Sequence, residues 1–310
     1  MRLRDLGEFE LIDRIRRLAA RVQGRDVVLG IGDDAALLRP RRGEQLVVTS
    51  DAMVEGTHFR WGGETPRMLG RRALAANLSD LAAMGSRPMG FLFALAAPPS
   101  LEVRSVTGVV RGMLDLAEPF ACPLVGGNVT RARETSITIT ALGGVRPGRI
   151  LMRSGARPGD RILVTGKLGL SALERARGRV RTTPRPRVTE GLALARLASV
   201  TACIDISDGL LADLGHLLEA SGVGAEIDAS LVPMPRGFAA ACKRLERDPL
   251  QLALGGGEDY ELIFTASGNT PDSPALERRL GTAVTAIGRI TERGLRVRGA
   301  SGGSPGWRHF

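Results

Sequence analysis

Cysteine, lysine and aromatic residues are scarce in this chain of 310 residues. Its cysteines, Cys122, Cys203 and Cys242, are scattered and without CxxC spacing, which argues against a disulfide framework or a zinc site and predicts a reducing, cytoplasmic location. No apolar run approaches the roughly 18 residues of a membrane span. The N-terminus has no apolar segment of the kind found in secretory signals, so we expect no membrane association.

The charge is strongly one-sided, at +10, yet only Lys167 and Lys243 are lysines. The arginines are spread along the chain, and aromatic residues make up only 4%, so stacking surfaces for bases are few. We therefore place a nucleic-acid binder last among the possible functions. Hydrophobic residues (43%) and charged residues (25%) are typical of a globular chain with a core, and the length favours two domains.

Hydrophobic periodicity predicts helices and strands in both halves of the chain. The predicted helices cover about 8–22, 65–84, 100–117, 170–177, 188–199, 210–220 and 237–246, and the predicted strands 45–50, 91–96, 136–142, 161–165, 202–206, 225–227, 260–265 and 283–290. A turn-rich stretch from Arg146 to Gly159 predicts the boundary between an N-terminal domain (1–148) and a C-terminal domain (149–310). The expected fold class is α/β (α+β) with two domains.

Acidic side chains gather beside glycines and at the predicted strand ends of this basic chain. They are Asp33, Asp34, Asp51, Asp205, Asp208, Glu258 and Asp259, joined by Asp80 from a helix. One such acid is usually a solvated turn residue, but several beside apolar strands predict a shared crevice. Carboxylates brought together raise one another's pKa, and a hard cation with oxygen ligands removes that conflict. The pattern therefore favours Mg²⁺ and a polyphosphate ligand.

The usual phosphate-binding and nucleophile motifs are missing. Gly166-Lys167 is followed by Leu168 and has no Walker A spacing, and there is no G-x-S-x-G. The glycines at Gly126-Gly127 and Gly255-Gly-Gly257 either let backbone approach a phosphate or form ordinary turns; the residues alone leave both open. Three dispersed histidines do not support a catalytic triad.

A set of motifs in a fixed order identifies a family. The motifs are Gly30-Ile-Gly-Asp-Asp-Ala-Ala36, Thr49-Ser-Asp51, Gly56-Thr-His58-Phe59, Asn77-Leu-Ser-Asp-Leu-Ala-Ala-Met-Gly85, Arg153-Ser-Gly-Ala-Arg-Pro-Gly-Asp160, Ile204-Asp-Ile-Ser-Asp-Gly-Leu210, Gly256-Gly-Glu-Asp-Tyr-Glu-Leu262 and a Gly-Trp-Arg-His-Phe ending. Together they resemble the thiamine-monophosphate kinase family, of the superfamily that includes aminoimidazole ribonucleotide synthetase and selenophosphate synthetase. The resemblance covers essentially the whole chain. The first cysteine is Cys122, which argues against selenophosphate synthetase.

The resemblance implies ATP-dependent phosphorylation of thiamine monophosphate to thiamine diphosphate with several Mg²⁺ ions. It implies a homodimer in which the N-terminal sheets pair, with an N-terminal domain that binds Mg-ATP and a C-terminal domain that completes the site. The implied metal ligands are Asp34, Thr49, Ser50, Asp51, Asp80, Asn128, Asp205 and Asp208. The implied ATP contacts are Gly127, Asn128, Arg153 and Ser207, and the implied substrate contacts are His58, Glu258 and Trp307. No residue is assigned as a general base, because a phosphate acceptor is already anionic.

One position departs from the family pattern. The family motif is Gly-Gly-Asp, with its aspartate on metal, where this chain has Gly126-Gly127-Asn128. An amide carbonyl is still a ligand, but one negative charge is lost, which predicts weaker occupancy of one metal site. Two alternatives therefore stay open: a nucleotide-binding homologue with weakened catalysis, and a sister ATP-dependent synthetase acting on another substrate.

Overall fold

The computed structural model describes residues 1–178 and 180–299 and divides into two compact units. The first unit comprises residues 1–81, 87–147 and 180–183, and the second takes the other described residues. The position of Trp307 lies outside the described residues. Within the described ranges, no helix combines the length and apolar character needed to cross a membrane.

The first unit is built around a mixed sheet of four strands. The elements are α1 (Leu3–Leu6), α2 (Glu8–Ala19), β1 (Val27–Leu29), β2 (Leu37–Leu38), β3 (Gln45–Val54), α3 (Pro66–Ala83), β4 (Arg87–Ala97), α4 (Val103–Ala117), β5 (Leu124–Arg131) and β6 (Ser136–Val145). The strand order is β3-β6-β4-β5, with β4 parallel to β5 and the other pairs antiparallel. One face forms the core, where Phe91, Ile137 and Ile139 are buried.

The second unit has a longer sheet with helices on it. Its elements are β7 (Arg161–Thr165), α5 (Leu170–Ala176), α6 (Val188–Leu194), β8 (Val200–Asp205), α7 (Leu210–Ser221), β9 (Gly224–Asp228), α8 (Phe238–Lys243), α9 (Pro249–Gly255), β10 (Leu262–Ala266), α10 (Ser273–Leu280), β11 (Val284–Thr291) and β12 (Leu295–Arg298). The order is β12-β9-β11-β7-β10-β8, and among the described strand pairs of this second sheet only β12–β9 is parallel. Ile162, Ile204 and Leu214 are fully or almost fully buried in its core.

The predicted α/β class is confirmed, as are most predicted elements. The sequence prediction omitted α1, β1, β2, β5 and β12, and it also omitted the two helices α9 and α10. Both missed helices carry a start signal, since Asp248 accepts hydrogen bonds from Leu250 and Gln251 N–H groups, Asp272 accepts one from Ala275 N–H, and a proline lies in each first turn. The prediction for α6 ran to about 199, whereas the helix ends at Leu194.

Two positional predictions are corrected by the strands. Asp51 was placed at a strand end, but β3 continues to Val54, because residues 45–54 pair continuously with β6. Gly126 and Gly127, for which the sequence allows either an ordinary turn or a backbone that approaches a phosphate, lie inside β5 and pair with β4. Since most strand pairs are antiparallel, the acids do not share one carboxyl edge of a parallel sheet. Their positions follow instead from the individual contacts described below.

Candidate active site

A hydrogen bond between Thr49 and Asp80 links strand β3 to helix α3 in the first unit. Thr49 Oγ1 donates a hydrogen bond to the carboxylate of Asp80, which is half-buried on α3. Side chains alternate between the two faces of a strand, so Asp51 lies on the same face of β3 as Thr49. Two of the predicted metal ligands are thus in contact, and a third shares their face.

Ser50 lies on the opposite face of β3. Its hydroxyl is 3.0 Å from Thr140 Oγ1 and 3.2 Å from the Ile139 carbonyl oxygen, both on the neighbouring strand β6. Thr140 lines an open cleft of about 1070 Å³ on that face of the first unit. Ser50 is therefore associated with this cleft and is separated by the sheet from the side chains of Thr49 and Asp51.

The cleft gathers the glycine-rich residues of the first unit. It is lined by the Gly30–Ala36 loop, which contains Asp34, and by Gly127 and Asn128 of β5. Gly127 has φ 154°, and a Cβ atom there would lie 1.8 Å from the Phe93 carbonyl oxygen. Only glycine fits here, because a side chain would collide with the backbone of the neighbouring strand β4. The structure thus brings Asp34, Gly127 and Asn128 to one cleft.

The two edges of the first sheet each carry part of the predicted metal set. Thr49, Ser50 and Asp51 lie on β3 and Asn128 lies on β5, and these strands are at opposite edges. Neighbouring strands are about 4.8 Å apart, so three spacings separate these backbones by roughly 14 Å. One ion cannot bind directly to side chains from both edges of the same sheet, because ligand bonds to Mg²⁺ are only about 2.1 Å long.

His58 is fixed just beyond the end of β3. The backbone N–H of Val54 donates to His58 Nδ1 at 3.0 Å. In the neutral imidazole this arrangement places the proton on Nε2. The carbonyl of His58 accepts from Arg72 at 3.3 Å, and Arg72 forms a buried ion pair with Glu64. The half-buried ring is therefore oriented by its own turn.

In the second unit, a carboxylate holds the loop that carries Ser207 and Asp208. Asp213 Oδ2 accepts the backbone N–H groups of Ser207, Asp208 and Gly209, each at 3.0 Å. Burial raises the pKa of Asp213 to about 7, although the three donors favour its ionised form. Asp205, the last residue of β8, is buried just before this loop. Sequence reasoning missed Asp213, which belongs to no familiar spacing pattern.

The second acidic motif packs against this loop. The N–H of Glu258 donates to the Ser207 carbonyl at 2.7 Å, and the N–H of Tyr260 donates to the Ile206 carbonyl at 2.9 Å. The structure therefore brings Glu258, a predicted substrate contact, next to Ser207, a predicted ATP contact. The backbone of this part of the chain is unusual, because Glu258 has φ 64° and Tyr260 has φ 51°.

Two further acids of the motif have internal partners. Asp259 accepts the N–H groups of Gly169 at 2.7 Å and Ser171 at 3.3 Å, and burial raises its pKa to about 7. Glu261 accepts two hydrogen bonds from Arg187, both at 2.5 Å, and one from Thr165 at 2.7 Å. Asp259, counted among the gathered acids of the sequence, thus anchors the loop from within the unit.

Arg153 is an exposed residue of the second unit. Its backbone carbonyl accepts a hydrogen bond from Ser221 Oγ at 3.1 Å, which ties the segment to the end of α7. Its guanidinium has no hydrogen-bond or ion-pair partner among the described residues. The group is therefore available to an anionic ligand.

The chemistry of these side chains suits Mg²⁺. The donors are the carboxylates of Asp34, Asp51, Asp80, Asp205 and Asp208, the hydroxyls of Thr49 and Ser50 and the amide of Asn128, all hard oxygen ligands. Within residues 1–178 and 180–299, no three His, Cys, Asp or Glu side chains are grouped closely enough to hold a metal ion. Mg²⁺ commonly binds with one or two carboxylates and takes its other ligands from phosphates and water. The donor set fits that mode of binding.

Comparisons with known proteins agree with this fold and these motifs. Family models for AIR synthase related protein match residues 32–145 (N-terminal domain) and 157–299 (C-terminal domain). The class defined by fold and motifs is therefore that of the two-domain AIR synthase related proteins. The chain is 40% identical over 284 residues to thiamine-monophosphate kinase of Synechococcus elongatus, which covers 84% of each sequence.

Solved structures narrow the class further. Thiamine-monophosphate kinase from Stenotrophomonas maltophilia K279a matches with a TM-score of 0.83 and 39% identity, over 96% of this chain and 98% of that chain. AaThiL complexed with AMPPCP and TMP matches with a TM-score of 0.75 and 32% identity, over 100% and 99% of the two chains. The chain belongs to the thiamine-monophosphate kinase family, as the ordered motifs predicted.

Proposed function

We propose that this protein transfers the terminal phosphoryl group of ATP to thiamine monophosphate and so forms thiamine diphosphate. The observation that carries the proposal is the contact of Glu258 with Ser207, because it joins a residue proposed to bind the substrate to a residue proposed to bind ATP. The similarity to AaThiL, which was solved with AMPPCP and TMP, supports the same pairing of ligands. We assign residues 1–148 to Mg-ATP binding and dimerisation and residues 149–310 to completing the site.

The acceptor phosphate needs little activation. Its second pKa is about 6, so at neutral pH it is mostly a dianion and no general base has to remove a proton. The obstacle is repulsion between this dianion and the phosphates of ATP. Bound Mg²⁺ would neutralise charge on the phosphate oxygens. Its ligands are the proposed set, Asp34, Thr49, Ser50, Asp51, Asp80, Asn128, Asp205 and Asp208.

The remaining residues orient the two reactants. Gly127, which lines the cleft, and the side chains of Asn128, Arg153 and Ser207 hold ATP. His58, whose ring is fixed by Val54 N–H, and Glu258 hold the thiamine phosphate. Trp307, which lies outside the described residues, is proposed to stack on the cationic thiazolium ring, a contact of about 0.5–2 kcal/mol. Orientation of this kind places the acceptor oxygen in line with the bond that breaks.

A homodimer would resolve the separation between the two edges of the first sheet. The outer face of β3 is apolar and uncovered, with Leu46 54% and Val48 60% exposed. If β3 of one copy pairs with β5 of a second copy, Asn128 of that copy approaches Ser50, because both side chains lie on the cleft face of the sheet. The three cysteines are free and buried, which supports the proposed cytoplasmic location.

Mixed dimers test this arrangement. Ser50→Ala and Asn128→Ala chains with different affinity tags are co-expressed, and the heterodimer is purified through both tags. If the site is shared, one of its two sites keeps both residues, so the heterodimer is expected to exceed either variant homodimer in activity. Activity that only averages the two homodimers contradicts the shared site.

The activity itself is tested with purified protein, ATP, Mg²⁺ and thiamine monophosphate, by chromatography of thiamine diphosphate. Formation of thiamine diphosphate that depends on all three additions, and that Asp80→Asn lowers by orders of magnitude, is the expected result. ATP binding without product would instead identify the nucleotide-binding homologue that Asn128 leaves open. ATP consumption without thiamine diphosphate would identify a synthetase.

A further inference from the structure

The loop that carries Glu258 has a conformation that its residues do not adopt by themselves. Glu258 (φ 64°) and Tyr260 (φ 51°) are both left-handed, although neither is glycine. A residue with a Cβ atom is rarely found in this region, and it stays there only where the surrounding structure holds it. The contacts around this loop therefore decide where the Glu258 side chain points.

Backbone contacts fix the main chain on both sides of Glu258. Its N–H donates to the Ser207 carbonyl at 2.7 Å, and its carbonyl accepts from Ser171 Oγ at 2.8 Å. The next residue, Asp259, is anchored to the Gly169 and Ser171 N–H groups. These contacts determine the path of the loop but leave the rotamer of the Glu258 side chain open.

Arg175 holds that side chain. Its Nη1 donates to Glu258 Oε2 at 2.9 Å, and its Nη2 donates to the Gly257 carbonyl at 2.9 Å. A guanidinium is planar and its N–H groups point in fixed directions, so bonding both acceptors at once restricts the carboxylate to one orientation. The side chains of Arg175 and Glu258 are 37% and 26% exposed, which leaves this pair within reach of a ligand.

We propose that Arg175, the next-to-last residue of α5, is a positioning residue that presents the Glu258 carboxylate to the thiamine phosphate and thereby sets affinity for that substrate. The inference rests on the proposed function and adds a residue that none of the motifs contains. When Arg175 is removed, the guanidinium that restricts the carboxylate is lost, and more of the ordering of Glu258 falls on the substrate-binding step. Ordering one long side chain weakens binding by about 3- to 10-fold.

The test compares Arg175→Met, Arg175→Lys, Glu258→Gln and the double variant Arg175→Met/Glu258→Gln. We expect Arg175→Met to raise KM for thiamine monophosphate by about 3- to 10-fold, with KM for ATP within about twofold of wild type. Arg175→Lys is expected to recover part of the loss, because an ammonium reaches the carboxylate but lacks the planar fork. The double variant is expected to match Glu258→Gln, since Arg175 acts through Glu258.

Arg298→Met is the matched control. Arg298 forms an ion pair with Glu226 on β12 and β9 of the same unit, and its removal should leave both KM values unchanged. Thermal melting of every variant separates a loss of fold from a loss of affinity, and Arg175→Lys keeps the test valid if Arg175→Met unfolds.

Three results obtained with the variants overturn the inference. Additive effects of Arg175→Met and Glu258→Gln would show that Arg175 does not act through Glu258. Equal increases of KM for both substrates would also contradict the inference. So would a KM for thiamine monophosphate in Arg175→Lys that is as high as in Arg175→Met. If the wild-type protein forms no thiamine diphosphate, the proposed function fails and this inference fails with it. If the wild type is active and the variants are additive, only the inference is lost.

Discussion

Asp213 accepts a hydrogen bond from the backbone N–H of Asp208 at 3.0 Å, so one aspartate holds another in place. The same carboxylate oxygen accepts the N–H groups of Ser207 and Gly209. A single buried side chain thus fixes the backbone of a loop with two proposed ligand contacts. Removing it leaves three backbone donors without this acceptor, and a buried unsatisfied donor costs about 1–3 kcal/mol.

We expect Asp213→Ala to weaken the use of Mg-ATP more than the use of thiamine monophosphate. The loop would lose its anchor, and kcat/KM for ATP should fall at least about tenfold, since a loss of 1.4 kcal/mol corresponds to that factor. Steady-state kinetics with each substrate varied in turn measures the effect. Asp160→Asn is the matched control, because Asp160 is also buried and accepts Thr201 Oγ1 at 2.7 Å, but at the other end of β8. Equal losses for both substrates would contradict the prediction.

Gly127→Ala is expected to disrupt β5. Its new Cβ atom would meet the Phe93 carbonyl oxygen at 1.8 Å, and backbone cannot move aside without breaking the β4–β5 pairing. Gly126→Ala provides the comparison, because its Cβ would meet only the Leu92 Cδ2 atom at 3.0 Å, the mobile end of a side chain. Thermal denaturation should show a much lower melting temperature for Gly127→Ala than for Gly126→Ala. Similar values would show that the close approach at Gly127 is absent.

Asn128→Asp is expected to lower the magnesium concentration for half-maximal activity and to raise turnover. The change restores one negative charge at a proposed ligand position. Thr130→Asp adds the same charge two residues away on the same face of β5 and should leave the magnesium requirement unaltered. The prediction is tested by measuring activity as a function of magnesium concentration for wild type, Asn128→Asp and Thr130→Asp. Identical curves for Asn128→Asp and wild type would contradict the prediction.

The raised pKa of Asp259 predicts that the stability of the protein falls as pH rises toward 7. Its pKa is raised by burial to about 7 in the folded protein, against 3.8 for the ordinary side chain. Between these values the folded state binds the proton and the unfolded state does not, so the contribution to stability is present at low pH and is lost as pH rises through 7. The slope from this one group is at most about 1.4 kcal/mol per pH unit.

Asp259→Asn removes that titration. Chemical denaturation between pH 5 and 8, a range chosen to bracket the pKa of about 7, should show a shallower decline in the free energy of unfolding for the variant than for wild type. Asp228→Asn is a suitable control, because the pKa of Asp228 is lowered by hydrogen bonds from Ser230 and not raised by burial. Parallel declines in wild type and Asp259→Asn would show that Asp259 does not titrate in this range.

The sequence predicted the class of fold and most elements because their signals are local. The alternating strand at 136–142 and the apolar stripe of α4 are readable from neighbouring residues. The family motifs likewise supplied the candidate ligands. The order of the strands in the sheet could not be predicted from the sequence. The pairing of β3 with β6 joins segments about ninety residues apart, and their hydrophobic patterns are equally compatible with other partner strands.

The sequence did not identify Asp213 and Arg175, which support the site, for a related reason. Asp213 acts on N–H groups four to six positions before it, and Arg175 acts on a residue 83 positions away. Neither distance forms a recognisable spacing, and both residues look like ordinary helix residues in the sequence. The separation of Ser50 from Thr49 by the sheet follows from alternation within the predicted strand 45–50. The separation of Ser50 from Asp51 follows only once β3 is known to continue to Val54.

The placement of β3 and β5 at opposite edges of the first sheet has a genetic consequence if the site is shared as proposed. Each polypeptide would then contribute residues to two active sites, and neither active site would be built from one polypeptide alone. In a dimer of one mutant and one wild-type subunit, the mutant subunit would inactivate an active site to which the wild-type subunit also contributes. A mutant gene copy would therefore reduce activity even when a wild-type copy is present. Two copies with different faults, one in each strand, would partly compensate for each other.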